Sequence, residues 1–282
     1  MKKKGIPLSV LPMYIWSAVF VILPLIYIIA LSVLTPDRAA GAALPVTAEN
    51  YTRLFDPVIA DVFLRSLRLA AETTAICFII GFPFSYCMAR LSGKAKSIVM
   101  MLIMIPFWTN SLLRTYGWII ILRGNGVLNT LLQSAGIIDS PLSLMYTYGA
   151  TLLGMAYSMV PFMILPCYSS AEKLDRSVGE AARDLGAGSV RAFFTVTLPL
   201  TLPGILSGCV LVFVPSAGMF FISDLMGGAK MSLLGNLIDS QVHTARNLPF
   251  AAALSVVMLL LATVFIFVYR KCSGTSQLEG IV

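Results

Sequence analysis

The residues able to do chemistry are sparse in this chain of 282 residues. Their densest run is Glu172, Lys173, Asp175, Arg176, Glu180, Arg183, Asp184 and Arg191. Inside it, Glu180-Ala181-Ala182 is followed three residues later by Gly186 and nine further on by Val196-Thr197-Leu198-Pro199. A short helix with alanines on one face and charges on the other suits a shallow groove on another protein. Enzymatic chemistry has no comparable constellation. His243 is the single histidine, so a paired-histidine metal site cannot be built. No G-x-S-x-G is present, and no hydrolytic triad presents itself. A phosphate loop is also absent: Gly93-Lys94 is followed by Ala95, and Met88 stands where the first glycine is needed. The chain is therefore expected to be no enzyme, to hold no metal and to bind no ATP itself.

Three ionisable residues stand apart from that run. Glu72 and Arg114 lie deepest in apolar sequence, where a charge is costly and marks a functional candidate. They are placed to pair with each other, Arg114 being assigned to structure or gating. Asp224 follows Ser223 and precedes Leu225-Met226-Gly227-Gly228, where the glycines permit tight turns. It would either meet a cation at the mouth of a path or cap a short outer helix. Trp108, Tyr116, Phe220 and Phe221 offer aromatic faces to a cation.

The elements that position these residues follow from composition. Charged residues make up 12% and hydrophobic residues 58%, where a soluble domain carries about 25% charged residues. A membrane helix needs about 20 apolar residues to cross about 30 Å of hydrocarbon. Six such runs are expected, roughly 11–34, 67–89, 98–122, 147–168, 198–223 and 250–269. They are too long for barrel strands, so the fold class is an all-α integral membrane protein, a helical bundle in one transmembrane domain over 1–282. Pro24, Pro83, Pro106, Pro161, Pro166, Pro203 and Pro215 lie in or near the spans and imply kinks. The first run is about twice the length of a signal-peptide core, so it reads as an uncleaved span despite Lys2-Lys3-Lys4 and the alanines of 39–43. The segment 35–66 is the longest outer connection and is expected to form a lid or short helix. Cys77, Cys87, Cys167, Cys209 and Cys272 are far apart, without a C-x-x-C pair, and read as packing residues.

Lysine and arginine set the orientation. With the N-terminus inside, the inner segments hold twelve basic and five acidic residues, and the outer side eight of each. The whole formal excess of +7 then lies on one face. Both termini and the loop 169–197 are expected in the cytoplasm. The basic balance thus reflects topology and anionic membrane lipid, not nucleic acid.

Residues 169–197 read as two short helices around a turn. Ser177 and Glu180 have capping-box spacing. Gly186 suits a left-handed helix terminus. Ser189 is placed to cap a second segment, Val190 to Val196, before Leu198-Pro199 opens the fifth span. A position between two spans rules against a DNA-binding helix-turn-helix.

The E-A-A-x3-G-x9-V-x-L-P spacing resembles the cytoplasmic signature loop of ABC importer permeases, with Val196 where the family usually has isoleucine. The resemblance implies the six-helix type I importer permease fold, in a bacterial cytoplasmic (inner) membrane. It assigns Glu180, Ala181, Ala182, Asp184 and Gly186 to docking on an ATPase. Further blocks are similar to the spermidine/putrescine permease family. They are Asn50 to Leu54, Pro106 to Gly117, Pro166 to Ser170 with Glu172 to Asp175, and Ser223 to Lys230. That likeness runs from about residue 10 to 270. It implies a polyamine substrate and four kinds of partner: a second homologous permease (PotC type), two ATPase subunits (PotA type), an extracytoplasmic polyamine-binding protein (PotD type) and membrane lipid. ATP would be bound by the partner, with no cofactor here. Asp224, Trp108, Tyr116, Phe221 and Glu72 become the candidate substrate path. Importers of ferric iron, sulfate, thiamine or opines share the fold and remain alternatives, as does a secondary transporter. That last reading would need repeat symmetry or an intramembrane ion site, and no clear pair of either is found.

Overall fold

The computed structural model describes residues 10–37, 41–228 and 231–273, with only the backbone at Arg176, Arg270, Cys272 and Ser273. Lys2, Lys3 and Lys4, the alanines at 39 and 40, and Ala229-Lys230 lie outside the described residues. Among those described, five helices are long and apolar enough to cross a membrane: Leu11–Ser32, Pro57–Ala89, Tyr148–Glu172, Ser189–Gly218 and Leu248–Tyr269. A bent pair, Gly93–Trp108 and Ser111–Ser134, makes the sixth. These are spans one, two, four, five, six and three in chain order. The chain forms two compact units. One takes the described residues to Val62 with Leu237–Leu261; the other takes Phe63–Asn236 and those from Ala262 onward.

In the first unit, span one leads into a β-hairpin, Leu34–Asp37 antiparallel to Gly41–Val46, and then a helical turn at Glu49–Thr52. The hairpin is an addition to the expected lid or short helix. Asn50 explains why the segment is ordered. Its buried amide donates to the Ser32 carbonyl at 3.0 Å and the Leu34 carbonyl at 2.9 Å. Tyr51 hydroxyl meets Ser32 Oγ at 2.7 Å. The Asn50 bonds give two backbone carbonyls a partner at a buried side chain. The Arg53 guanidinium lies 4.4 Å from the Phe250 ring centroid.

Span three is not the straight helix expected over 98–122. It breaks by 92° after Trp108. Thr109 and Asn110 are extended or non-helical, and the Asn110 side chain caps the second half by accepting from Leu112 N–H at 2.8 Å. Pro106 lies just before the break and has no N–H to sustain the helix. Apolar sequence resumes on both sides of the short polar run Thr109-Asn110-Ser111, so a span-length stretch reads straight through the corner. The 98–122 run expected as one span would put Trp108 near its middle. Trp108 instead ends the first half and is 84% exposed.

Spans one and five share a second device. Each contains a π-turn, Ala18–Ile22 and Phe193–Thr197, directly before a Leu-Pro pair. Leu23 N–H bonds back to Ala18, and Leu198 N–H to Phe193, five residues away. The wider turn accommodates the proline ring, which clashes with the carbonyl four residues back in a regular helix.

The second unit packs spans two, four and five tightly. Cys77, Phe82, Met159, Met163, Cys167, Ile205 and Val212 form one buried cluster. Leu69, Leu122, Met155, Ile222, Met226 and Leu233 form another. Gly204 and Gly208, one turn apart on span five, let it approach span four closely. A Cβ at Gly204 would overlap Ser170 and the Pro166 carbonyl; one at Gly208 would meet Met163 Sδ at 2.6 Å. Small residues at such contacts are how membrane helices gain van der Waals packing. Span five ends at Gly218, short of 223; after Met219-Phe220 the chain becomes helical again and passes into a π-turn, Ser223–Gly227.

Candidate coupling loop and substrate path

The loop after span four folds as a helix, Arg176–Asp184, but the capping differs from the expected box. Asp175, not Ser177, is the N-cap: its carboxylate accepts from the Ser177 amide at 3.0 Å. That bond holds its pKa below the ordinary value. Glu180 does not reach back to Ser177. It lines a cavity of about 330 Å³ with Arg90, Glu172, Asp175 and Arg183. Glu172 is tied to Lys96 Nζ at 2.6 Å.

The helix end matches the expectation for Gly186. Its φ is +86°, in the left-handed region. Gly186 N–H bonds to the Arg183 carbonyl at 2.8 Å and Ala187 N–H to Ala182 at 3.1 Å. This pair of bonds is the Schellman termination, which satisfies carbonyls the helix leaves open. No second free helix follows. Gly188, not Ser189, precedes the next helix, and that helix runs through the π-turn into span five as Ser189–Gly218. From Ser189 the loop is thus continuous helix with span five, and the four residues 185–188 separate that helix from Arg176–Asp184. Glu180, Ala181, Asp184 and Gly186 are not buried, and neither is Ala182. Val178, Leu185, Val190 and Phe194 are exposed beside them, Leu185 at 89%.

The five substrate-path candidates enter different sets of contacts. Glu72 does not pair with Arg114. It accepts from Arg68 Nε at 2.7 Å, one turn back on the same helix, and from the Tyr148 hydroxyl at 2.5 Å, linking spans two and four. The i, i+4 spacing of Arg68 and Glu72 is readable in sequence; Tyr148, 76 residues away, is not. Asp224 lies exposed within the π-turn Ser223–Gly227, whose N-cap position is Ile222. The Asn236 amide donates to its Oδ1. Phe221 packs against the cluster around Leu69 and Met226, while Tyr116 is 50% exposed on the second half of span three.

These features match known proteins. The family described as binding-protein-dependent transport system inner membrane component matches residues 81–272. The chain belongs to this family. Its architecture is that of solved importers as well. The membrane chain of a bacterial ABC transporter involved in the import of the acidic polysaccharide alginate superposes with a TM-score of 0.71, covering 95% of this chain and 94% of that one at 15% identity. The class is therefore a multi-pass inner-membrane permease with the ABC importer fold. More particular likenesses follow. The spermidine/putrescine transport system permease protein PotB of Haemophilus influenzae is 44% identical over 94% of this chain and 93% of its own length. PotB of Escherichia coli K12 is 44% identical over 92% and 94%. The inner membrane ABC transporter permease protein YdcU of the same organism is 32% identical over 86% and 81%.

Proposed function

We propose that this chain is a permease subunit of an ATP-driven polyamine importer. It forms half of the translocation path and leaves ATP binding and hydrolysis to separate subunits. The observation that carries this reading is the 44% identity to PotB proteins over more than nine-tenths of both chains. Partners follow from it: a second homologous permease of PotC type, two ATPase subunits of PotA type and a PotD-type extracytoplasmic binding protein. A solved alginate transporter in complex with a periplasmic protein provides the precedent for the last of these. Both termini and the loop at 169–197 face the cytoplasm in this reading, with Asp224 at the outer mouth.

The geometry supports two roles. The helix Arg176–Asp184 is capped at both ends and presents exposed Val178 and Leu185 beside Glu180, Ala181, Ala182 and Asp184. Docked in an ATPase groove, it would pass motion to span five through the continuous helix at Ser189. Asp224 is held from one side by Asn236, and a carboxylate has about four lone-pair sites. Capacity remains for an ammonium group. At about 4 Å the attraction is roughly 1–4 kcal/mol, depending on local wetness.

The test is radiolabelled spermidine and putrescine uptake in a strain lacking its own polyamine transporter, with the whole operon and with this gene deleted. ATP-dependent uptake that requires this gene is expected. Uptake of another solute instead, or uptake driven by a proton gradient without ATP, would overturn the reading. Purification of a stable ATP-coupled homodimer would overturn the assignment of a second permease.

A further inference from the structure

A groove in the second unit is lined by neither Asp224 nor Glu72. Its volume is about 570 Å³, and its walls come from spans two, three and four: Ile76, Ile80, Leu102, Leu153, Tyr157 and Ile164 among others. The lining is almost wholly apolar, with one charged residue, Arg114. The Trp118 indole and the Tyr157 ring stand edge to face beside it, with centroids 5.5 Å apart.

Arg114 is under-satisfied there. Its Nε is buried without a hydrogen-bond partner among the described residues. Its guanidinium carbon is 5.9 Å from the Phe107 ring centroid. It sits on the first turn of the helix Ser111–Leu122, where the helix dipole adds positive charge and cannot offset it. A guanidinium in this position calls for an anion. The groove beside it calls for hydrocarbon.

The depth fits both. The first half of span three, Gly93–Trp108, is 16 residues long. At 1.5 Å per residue it rises about 24 Å, against a hydrocarbon core of about 30 Å. The chain then turns by 92°. Arg114 therefore lies near the level where acyl chains give way to headgroups. The same charge makes the groove unfit for a polycation.

We propose that this groove is a binding site for an anionic phospholipid, with one acyl chain along the apolar wall and the headgroup phosphate on Arg114. Basic pockets between membrane helices hold anionic headgroups in this way, and guanidinium pairs with phosphate through two parallel hydrogen bonds. The bound lipid would fill the angle between the two halves of span three and hold the break at Thr109-Asn110 in place.

The assembled importer, stripped of lipid in detergent, is titrated with phosphatidylglycerol or phosphatidylethanolamine, and retained lipid is counted by native mass spectrometry. Wild type should retain phosphatidylglycerol in preference. Arg114→Gln should lose that preference, with affinity for phosphatidylglycerol falling at least about fivefold; Arg114→Lys should keep part of it. Gly149 lines the groove, and a Cβ there meets only Thr147 Oγ1 at 3.9 Å. Gly149→Leu should therefore fill the groove without disturbing the fold and lower retention of both lipids. Equal retention of the two lipids by wild type, or wild-type retention by both Arg114→Gln and Gly149→Leu, overturns the proposal. So does crosslinking that places a carboxylate of the second permease on Arg114, which would make the groove a subunit interface. The readout is lipid retention, so it stands or falls separately from the polyamine assignment.

Discussion

Replacing Gly186 with valine isolates the geometry of the proposed coupling helix. The helix Arg176–Asp184 ends because Gly186 takes a φ of +86°, which lets Gly186 and Ala187 return their amides to Arg183 and Ala182. Space is not the issue, since a Cβ at Gly186 would meet nothing within 4 Å. The whole cost is therefore backbone. An L-residue in the left-handed region costs roughly 1–2 kcal/mol, and branching at Cβ stiffens the side chain further. On a helix of nine residues, too short to persist alone in water, that reduces the correctly ended population by about 5–30-fold. Membrane abundance should not change, because the loop is exposed and the spans are untouched. Substrate-stimulated ATP hydrolysis and polyamine uptake by the reconstituted importer should fall together. Gly186→Asn should retain much of both, since asparagine tolerates the left-handed region, whereas Gly186→Ala should fall between. Full coupling in Gly186→Val, or an equal loss in Gly186→Asn, would refute the reasoning.

Three other outcomes are expected. Asp224→Asn keeps a hydrogen-bond acceptor for Asn236 but removes the charge; polyamine uptake should drop strongly with subunit abundance and basal ATP hydrolysis intact, and wild-type uptake would remove Asp224 from the path. The carboxyl of Asp175 has its pKa lowered by the Ser177 amide from an ordinary value of 3.8, so its contribution is complete above that value and is lost as pH falls through the lower folded one. Hydrogen-exchange protection of the Ser177 amide, corrected for intrinsic rate, should then be level from neutral pH to about 5 and decline below about 4; Asp175→Ala should remove both the protection and its acid dependence. Gly208→Leu would push against Met163, with an overpacking cost of about 1–3 kcal/mol; the detergent-solubilised complex should melt roughly 2–10 °C lower, and an unchanged midpoint would mean that spans four and five are not held at this contact.

The sequence alone determined the class. Apolar runs of about 20 residues fix a helical bundle because lipid offers the backbone no other partners, and all six runs reappear as helices or a broken helix. Gly186 was legible for the same kind of reason: only a glycine-like backbone ends a helix that way, and the requirement is local. Tertiary structure decided what depends on distant partners. Depth in apolar sequence suggests Glu72 and Arg114 as a pair, but the fold brings Tyr148 to Glu72 from span four. Asp224 has the makings of a cap and is instead held by Asn236. The corner at Thr109-Asn110 shows in the sequence only as a short polar run, Thr109-Asn110-Ser111, which a span-length apolar stretch on either side conceals. That corner moves Trp108 from mid-span to a helix end and leaves Arg114 beside a groove that three spans must assemble. A periodic pattern records which face a helix buries. Which side chain waits across the gap is set only when the helices pack.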